Sequence, residues 1–189
     1  GPERVRFEVE EDESYDEEDY QERITWLHVF SFLPGFHPVV KVLLAHGADP
    51  NSVATQYELT PLHIAATLET AKLLLEYEAK VDVKDSDGCT PLLHATVSGR
   101  HSVVELLLAH GADPNITNIY DTTSLHQARS AETAELLIQK GAEVNAKDED
   151  GRTPLFVATE NNRHSVVEVL IANGADPNIA NEDEISPLH

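Results

Sequence analysis

The chain has 189 residues and a formal net charge of −21, from 34 acidic and 13 basic side chains. That charge argues against nucleic acid as a direct partner, because phosphates would be repelled, and it makes basic proteins the better candidates. The single cysteine, Cys89, excludes an internal disulfide and fits an intracellular location, in the cytoplasm or nucleus. No apolar run reaches the roughly 18 residues that a membrane helix needs.

Residues 1–22 form an acidic N-terminal arm. From Glu3 to Arg23, eleven acidic side chains stand against three arginines, a composition typical of solvated segments. Two features argue for more than solvation. Residues 4–9 alternate apolar and charged side chains as an edge strand does, and Tyr15 and Tyr20 place aromatic anchors inside the acidic run.

Residues 23–181 contain five copies of one unit, and residues 182–189 begin a sixth. Each copy is numbered here by its opening residue: Thr25, Thr60, Thr90, Thr123, Thr153 and, for the incomplete sixth, Ser186. A threonine caps a helix start, a proline suits the first helical position, and a glycine after the second apolar run permits a left-handed cap. Each unit therefore predicts two short antiparallel helices, which need stacked neighbours to be stable.

The unit resembles the ankyrin repeat, whose signature T-P-L-H-x-A is matched at Thr60, Pro61, Leu62, His63 and Ala65. The resemblance implies an all-α solenoid of helix pairs joined by β-turn fingers. It also implies a non-catalytic protein–protein interaction module, an adaptor or scaffold, that binds its partner on a concave face of fingers and first helices. With the acidic charge, we expect that partner to be a basic or extended peptide.

The resemblance places the candidate partner-binding residues at two positions of the repeat. The residues three before the opening threonine are Tyr57, Asp87, Tyr120 and Asp150, and those four after it are Ile64, His94, Gln127 and Val157. Exposed loop tyrosines supply apolar area and a hydroxyl at low entropy cost. The alternative is that each tyrosine packs on the adjacent finger.

The repeat lengths alternate. The spacings between opening residues are 35, 30, 33, 30 and 33, so repeats two and four lack three residues between their helices, and we expect shorter helix pairs there. The junctions of repeats three and five have nearly the same sequence, so a 63-residue period overlies the single repeat. This period predicts a ridge of solvated side chains: Arg100, His101, Arg163 and His164. In repeat two, Glu78 replaces the cap glycine, at a cost of about 1–2 kcal/mol.

Catalytic and metal sites lack their sequence patterns. The zinc-peptidase, hydrolase-elbow and P-loop motifs are absent, so we expect neither an enzyme nor a cofactor. The T-P-L-H histidines, by the resemblance, hydrogen-bond within and between repeats: His28, His63, His126 and His189. Nothing at short spacing joins those histidines into a metal site, and Cys89 has no basic sequence neighbour to lower its pKa.

A short motif in the N-terminal arm suggests a function other than peptide binding by the repeats. Arg4-Val5-Arg6-Phe7 resembles the R-V-x-F motif of type-1 protein phosphatase regulators, which adds as a strand to a sheet edge while Val5 and Phe7 fill apolar pockets. On that interpretation the chain is a phosphatase-targeting subunit. A third interpretation makes it the recognition half of a larger effector enzyme. We expect the chain to continue beyond His189, because a solenoid needs a polar terminal cap.

Overall fold

The computed structural model describes residues 25–54 and 56–187. Within that part of the chain the regular elements are helices, apart from one isolated antiparallel bridge between Ala54 and Leu59. The helices are α1 (Trp26–Phe32), α2 (His37–Ala45), α3 (Leu68–Glu76), α4 (Pro91–Val97), α5 (His101–Ala109), α6 (Ala131–Gln139), α7 (Pro154–Glu160) and α8 (His164–Ala172). The second helices stack in the order α2, α3, α5, α6, α8, which confirms the all-α solenoid.

The first helices of repeats three and five start as their sequences predict. The Thr90 hydroxyl accepts a hydrogen bond from the Leu93 amide at 3.3 Å, and the Thr153 hydroxyl accepts one from Phe156 at 3.3 Å. A proline follows each threonine, at a position where its missing N–H has no helical partner. The threonine caps and prolines therefore mark where α4 and α7 begin.

The short repeats lose their first helix rather than shortening both. Residues 61–64 of repeat two form turns, and repeat four has a single 3₁₀ turn at Leu125–Gln127. Their second helices α3 and α6 keep nine residues, the length of α5 and α8. The prediction of a shorter pair is thus correct only for the first helix. The second helix is retained because it carries core residues such as Leu74 and Leu137, which are fully buried.

Two arginines of the long repeats cover the places where those helices are missing. Arg100 Nη1 donates to the carbonyl of Ala65 at 3.1 Å, and Arg163 Nη1 donates to those of His126 and Ala128 at 3.3 and 3.0 Å. A turn leaves such carbonyls without the intrahelical donors that a helix supplies. The prediction that both arginines are solvated ridge residues is therefore wrong: they are half-buried ties to the preceding repeat.

Glu78 adopts the left-handed conformation that its position in the repeat requires, with φ of 66°. The Glu78 amide donates to the Leu75 carbonyl at 3.1 Å, just as the amide of Gly111, the corresponding residue of repeat three, donates to Leu108 at 3.3 Å. The cap of α3 is thus built like that of α5, and the strain of a non-glycine residue is retained.

The core is a continuous row through the stack. Each of the five full repeats buries the leucine two residues after its opening threonine, and the second helices bury another: Leu27, Leu62, Leu92, Leu125 and Leu155 from the first set, and Leu44, Leu74, Leu107, Leu137 and Leu170 from the second. Each repeat therefore shares its core with its neighbours, as expected of a solenoid. No described helix combines the length and the apolar character needed to cross a bilayer.

Candidate binding surface

The fingers are joined by a ladder of backbone hydrogen bonds. The carbonyl of Tyr57 accepts from the Ser86 amide at 3.0 Å, that of Asp87 from Ile119 at 2.9 Å, that of Tyr120 from Glu149 at 3.1 Å, and that of Asp150 from Glu182 at 3.0 Å. The four accepting residues are the finger residues singled out in the sequence. They lie in one line, which we call the finger row: Tyr57, Asp87, Tyr120 and Asp150.

The side chains of the finger row alternate between aromatic and acidic. Tyr57 and Tyr120 are 53% and 50% exposed, so about half of each residue remains available for contact even where it packs on a neighbour. Asp87 and Asp150 are exposed as well. The alternation follows from the 63-residue period, because tyrosines belong to the short repeats and aspartates to the long ones.

The two aspartates of the finger row differ in their partners. Asp150 forms an ion pair with Arg152 at 2.9 Å, and Arg152 also bonds Asp148 at 3.0 Å. In repeat three Cys89 takes the place of Arg152, and within residues 25–54 and 56–187 Asp87 has no ion pair. Asp87 is therefore the more available carboxylate for a basic partner.

The first-helix candidates are less uniform. Ile64 and Gln127 are half-buried on turns, because repeats two and four lack that helix. His94 lies on α4 with its side chain 33% exposed and bonds Asp85 at 2.7 Å. Val157 is only 8% exposed on α7 and offers little surface. Within the described residues, no backbone ladder joins these four residues as one joins the finger row.

The T-P-L-H histidines hold the repeats together, as predicted for three of the four. The imidazole of His63 accepts from the Thr60 amide at Nδ1 (3.0 Å), which leaves Nε2 to donate to the Cys89 carbonyl at 3.1 Å. The corresponding Nε2 atoms of His28 and His126 lie 3.0 and 3.1 Å from the carbonyls of Leu59 and Arg152. Burial lowers the pKa of all three, that of His63 to about 4 with a further contribution from nearby His94. His189 lies outside the described residues.

An apolar pocket opens between repeats one and two, where repeat two lacks its first helix. Its volume is about 290 Å³, and its lining is His28, Val29, Phe32, Leu33, Ala54, Leu59 and Ile64. Phe32 remains 58% exposed there, next to the finger that carries Tyr57. Of this lining only Ile64 was a predicted site residue. The available signal was the apolar run after Thr25 together with the short junction of repeat two.

A family model of ankyrin repeats matches residues 27–118 and 115–181, most of the chain. The chain belongs to the ankyrin repeat family. Such repeats act as protein–protein interaction modules and are generally non-catalytic, and the finger row and pocket described above are surfaces of this module. The predicted docking motif, Arg4, Val5 and Phe7, lies outside the described residues.

Several curated ankyrin-repeat relatives are similar to this chain over part of their length. The transient receptor potential channel pyrexia of Drosophila melanogaster is 39% identical over 97 residues, covering 50% of this chain and 10% of its own length. The B-cell lymphoma 3 protein homolog of Mus musculus is 36% identical over 107 residues, covering 53% and 24%. The human ankyrin repeat and SOCS box protein 3 is 32% identical over 165 residues, covering 65% and 32%. The chain thus spans a minor part of each.

One further group of side chains escaped the sequence interpretation of this ankyrin array. Asp85, Cys89 and His94 each bring one potential ligand atom to within 4.8 Å of the other two. His94 is not a T-P-L-H histidine, since Leu93 takes that position in repeat three. The missed signal was the short spacing, which places all three donor types within ten residues of sequence.

Proposed function

We propose that this ankyrin array is an adaptor that binds an extended basic peptide along the finger row. The observation that supports the proposal is the alternation of Tyr57, Asp87, Tyr120 and Asp150 along one backbone ladder. A lysine or arginine pairs with a carboxylate and also stacks on an aromatic face, so all four positions attract the same side chains.

The spacing of the repeats sets the spacing of the peptide. Packed helices lie roughly 8–10 Å apart, and a peptide in the polyproline II conformation rises about 3.1 Å per residue and returns every third side chain to the same face, so about three peptide residues pass each finger. A peptide with a basic residue at every third position would therefore meet each finger in turn. The same basic residues spaced by two or four would lose register after one contact.

The apolar pocket gives the peptide a direction. It lies beside the Tyr57 end of the finger row and is lined by Phe32, Leu33 and Leu59 among others. Burying one leucine-sized side chain there contributes about 1.5–3 kcal/mol. We infer that an apolar residue at one end of the peptide occupies this pocket, while the basic residues lie on the fingers.

The test is fluorescence anisotropy with labelled peptides that differ only in the spacing of their basic residues. Asp87→Asn should weaken binding more than Asp150→Asn, because Asp150 already pairs with Arg152. Tyr57→Ala and Tyr120→Ala should each weaken it as well, whereas Val42→Ala, 57% exposed on α2, is the matched control. Equal affinity for all peptide spacings, or no loss in the Asp87 variant, would contradict the proposal.

The arm supports a second candidate, a phosphatase-targeting role for the Arg4-Val5-Arg6-Phe7 motif that precedes the repeats. Replacing Val5 and Phe7 with alanine should abolish binding of a type-1 phosphatase catalytic subunit, because both pocket-filling side chains are lost. Binding of the basic peptide should remain unchanged. Phosphatase binding that survives the double substitution excludes this candidate and leaves the finger-row proposal untouched.

A further inference from the structure

We propose that Asp85, Cys89 and His94 form a binding site for a single zinc ion at the base of the finger of repeat three. One carboxylate oxygen, the thiol Sγ and one imidazole nitrogen are the potential ligands, and these three atoms lie within 4.8 Å of one another. The residues come from three successive local elements: the finger turn, its exit and the first helix α4.

Comparison with repeat five shows that this group is particular to repeat three. At the corresponding positions repeat five has Asp148, Arg152 and Val157, and Arg152 neutralises the buried Asp148 carboxylate at 3.0 Å. In repeat three both the arginine and the valine are replaced, one by a thiol and the other by an imidazole. Repeat three therefore keeps the aspartate and adds two further metal-binding side chains at the positions of the arginine and the valine.

The aspartate is already held in place for coordination. Its Oδ1 accepts hydrogen bonds from the amides of Asp87 and Cys89 at 3.0 and 2.8 Å, so Oδ2 is left to face His94 Nε2 at 2.7 Å. A tetrahedral zinc with bonds of about 2.0–2.3 Å separates its ligands by roughly 3.3–3.7 Å. The carboxylate and imidazole, 2.7 Å apart, need to part by about 0.6 Å, and the thiol, which lies within 4.8 Å of both, needs to close by no more than about 1.5 Å to reach that separation.

The donor set selects the kind of ion. A thiolate, an imidazole and a carboxylate together suit Zn²⁺, whereas Mg²⁺ and Ca²⁺ prefer oxygen ligands alone. Asn118 Nδ2 lies 3.8 Å from the sulfur and can donate to it as an outer-shell partner. Burial, with the neighbouring Asp85, raises the pKa of Cys89, so the thiol keeps its proton until a cation displaces it.

Three protein ligands leave one position of a tetrahedral ion open. Water or a side chain from a bound partner can complete it. His94 is also one of the first-helix residues assigned to the binding face, and its side chain is 33% exposed. The metal would therefore lie where the array meets its ligand, although its binding does not depend on any peptide.

The experiment is a titration of the reduced protein with Co²⁺, which serves as a visible substitute for zinc. Cys89 is the sole cysteine in the sequence, so a thiolate-to-cobalt charge-transfer band in the near ultraviolet can come only from this residue. We expect that band to saturate at one cobalt per chain and to disappear when Zn²⁺ is added. No band, or saturation at one cobalt per two chains, overturns the proposal.

Two variants distinguish metal binding by all three residues from metal binding by Cys89 alone. Cys89→Ser should remove the band, and His94→Val, which introduces the residue found in repeat five, should weaken Co²⁺ binding more than about 100-fold, since even outer-shell partners contribute 10- to 100-fold. His110→Gln, at an exposed histidine on the same repeat, is the control. Unchanged affinity in a His94→Val protein with normal far-ultraviolet dichroism would exclude the imidazole as a ligand and sink the proposal.

Discussion

Glu78 and Gly111 occupy the same position in successive repeats, with φ of 66° and 85°. Nothing lies within 4 Å of a Cβ built on Gly111, so a side chain there meets no steric obstacle beyond its own backbone. The energetic difference between the two residues is therefore conformational. It isolates the cost of a left-handed non-glycine residue at this cap.

Exchanging the two residue types should move stability in opposite directions. We expect Glu78→Gly to stabilise the protein by about 1 kcal/mol, because the left-handed strain of about 1–2 kcal/mol outweighs the extra freedom of glycine in the unfolded chain. Gly111→Ala should destabilise it by about the same amount. Urea unfolding followed by circular dichroism measures both changes. A loss of stability in the Glu78 variant would show that its side chain contributes more than its backbone strain costs.

The buried histidines predict an acid-sensitive fold. The pKa of His63 is lowered to about 4 from the ordinary 6.5, so the unfolded chain binds the proton more readily. Its stabilising contribution is thus complete above pH 6.5 and is lost as the pH falls toward 4, by about 2 kcal/mol between pH 8 and pH 5. Protonation at Nδ1 would also oppose the Thr60 amide that donates there.

Denaturant unfolding at pH 8, 6.5 and 5 tests this dependence above the range in which most carboxyl groups titrate. The slope of the unfolding free energy against pH counts the protons taken up on unfolding. His28 and His126, whose pKa values burial also lowers, should add to that count. A flat profile from pH 8 to pH 5 would contradict the neutral, buried histidines.

At the scale of the elements, the arginine ties compensate for the absent first helices. Arg163 satisfies two carbonyls of repeat four, one of them on Ala128, whose surface is fully buried, while Arg100 satisfies one of repeat two. Arg163→Ala should cost about 1–3 kcal/mol, because it leaves buried acceptors without donors. Arg100→Ala should cost less.

Thermal and chemical unfolding measures the loss of stability in the Arg163→Ala variant. His164→Ala, at the adjacent exposed residue, is the control. The control should change stability by no more than about 0.5 kcal/mol. A lysine at position 163 has a single ammonium group in place of the planar fork, so it should recover only part of the loss. Equal stability of the alanine variants at 163 and 164 would contradict the tie.

The sequence predicted what local chemistry determines, and it missed what distant residues determine. The caps of α4 and α7 and the left-handed Glu78 follow from residues within one repeat. Repeats two and four lack a first helix because their junctions are three residues shorter. Their second helices keep full length because those helices carry the buried core leucines. The Arg163 tie reaches a carbonyl 35 residues earlier in the chain, and no periodic pattern reports it.

The candidate site divides in the same way. The finger row was predictable, because its members share one position of the repeat. The sequence did not predict that Arg152 pairs with Asp150 while Asp87 has no such partner among the described residues, because that difference depends on side-chain geometry. The pocket beside Phe32 joins side chains of α1, the first finger and Ile64, which lie far apart in the sequence. The group of Asp85, Cys89 and His94 was predictable from its short sequence spacing, but the repeat pattern points only to the T-P-L-H histidines.

At the scale of the whole molecule, the charge of −21 predicts salt-sensitive binding. The screening length shrinks from about 10 Å at 0.1 M salt to about 3 Å at 1 M, so long-range attraction of a basic peptide should be lost first. We expect stopped-flow association rates to fall more than tenfold over that range while dissociation changes less. A peptide with its basic residues replaced by glutamine is the control. Association independent of salt would mean that the acidic surface does not guide the partner.

The arginine ties also divide the array mechanically. Arg100 binds repeat three to repeat two and Arg163 binds repeat five to repeat four, whereas the side-chain hydrogen bonds between repeats three and four come from the uncharged groups of residues such as Asn115. If the ends are pulled apart, the chain should lengthen in steps of two repeats. A released 63-residue pair extends by up to roughly 210–230 Å, a length that optical tweezers resolve easily.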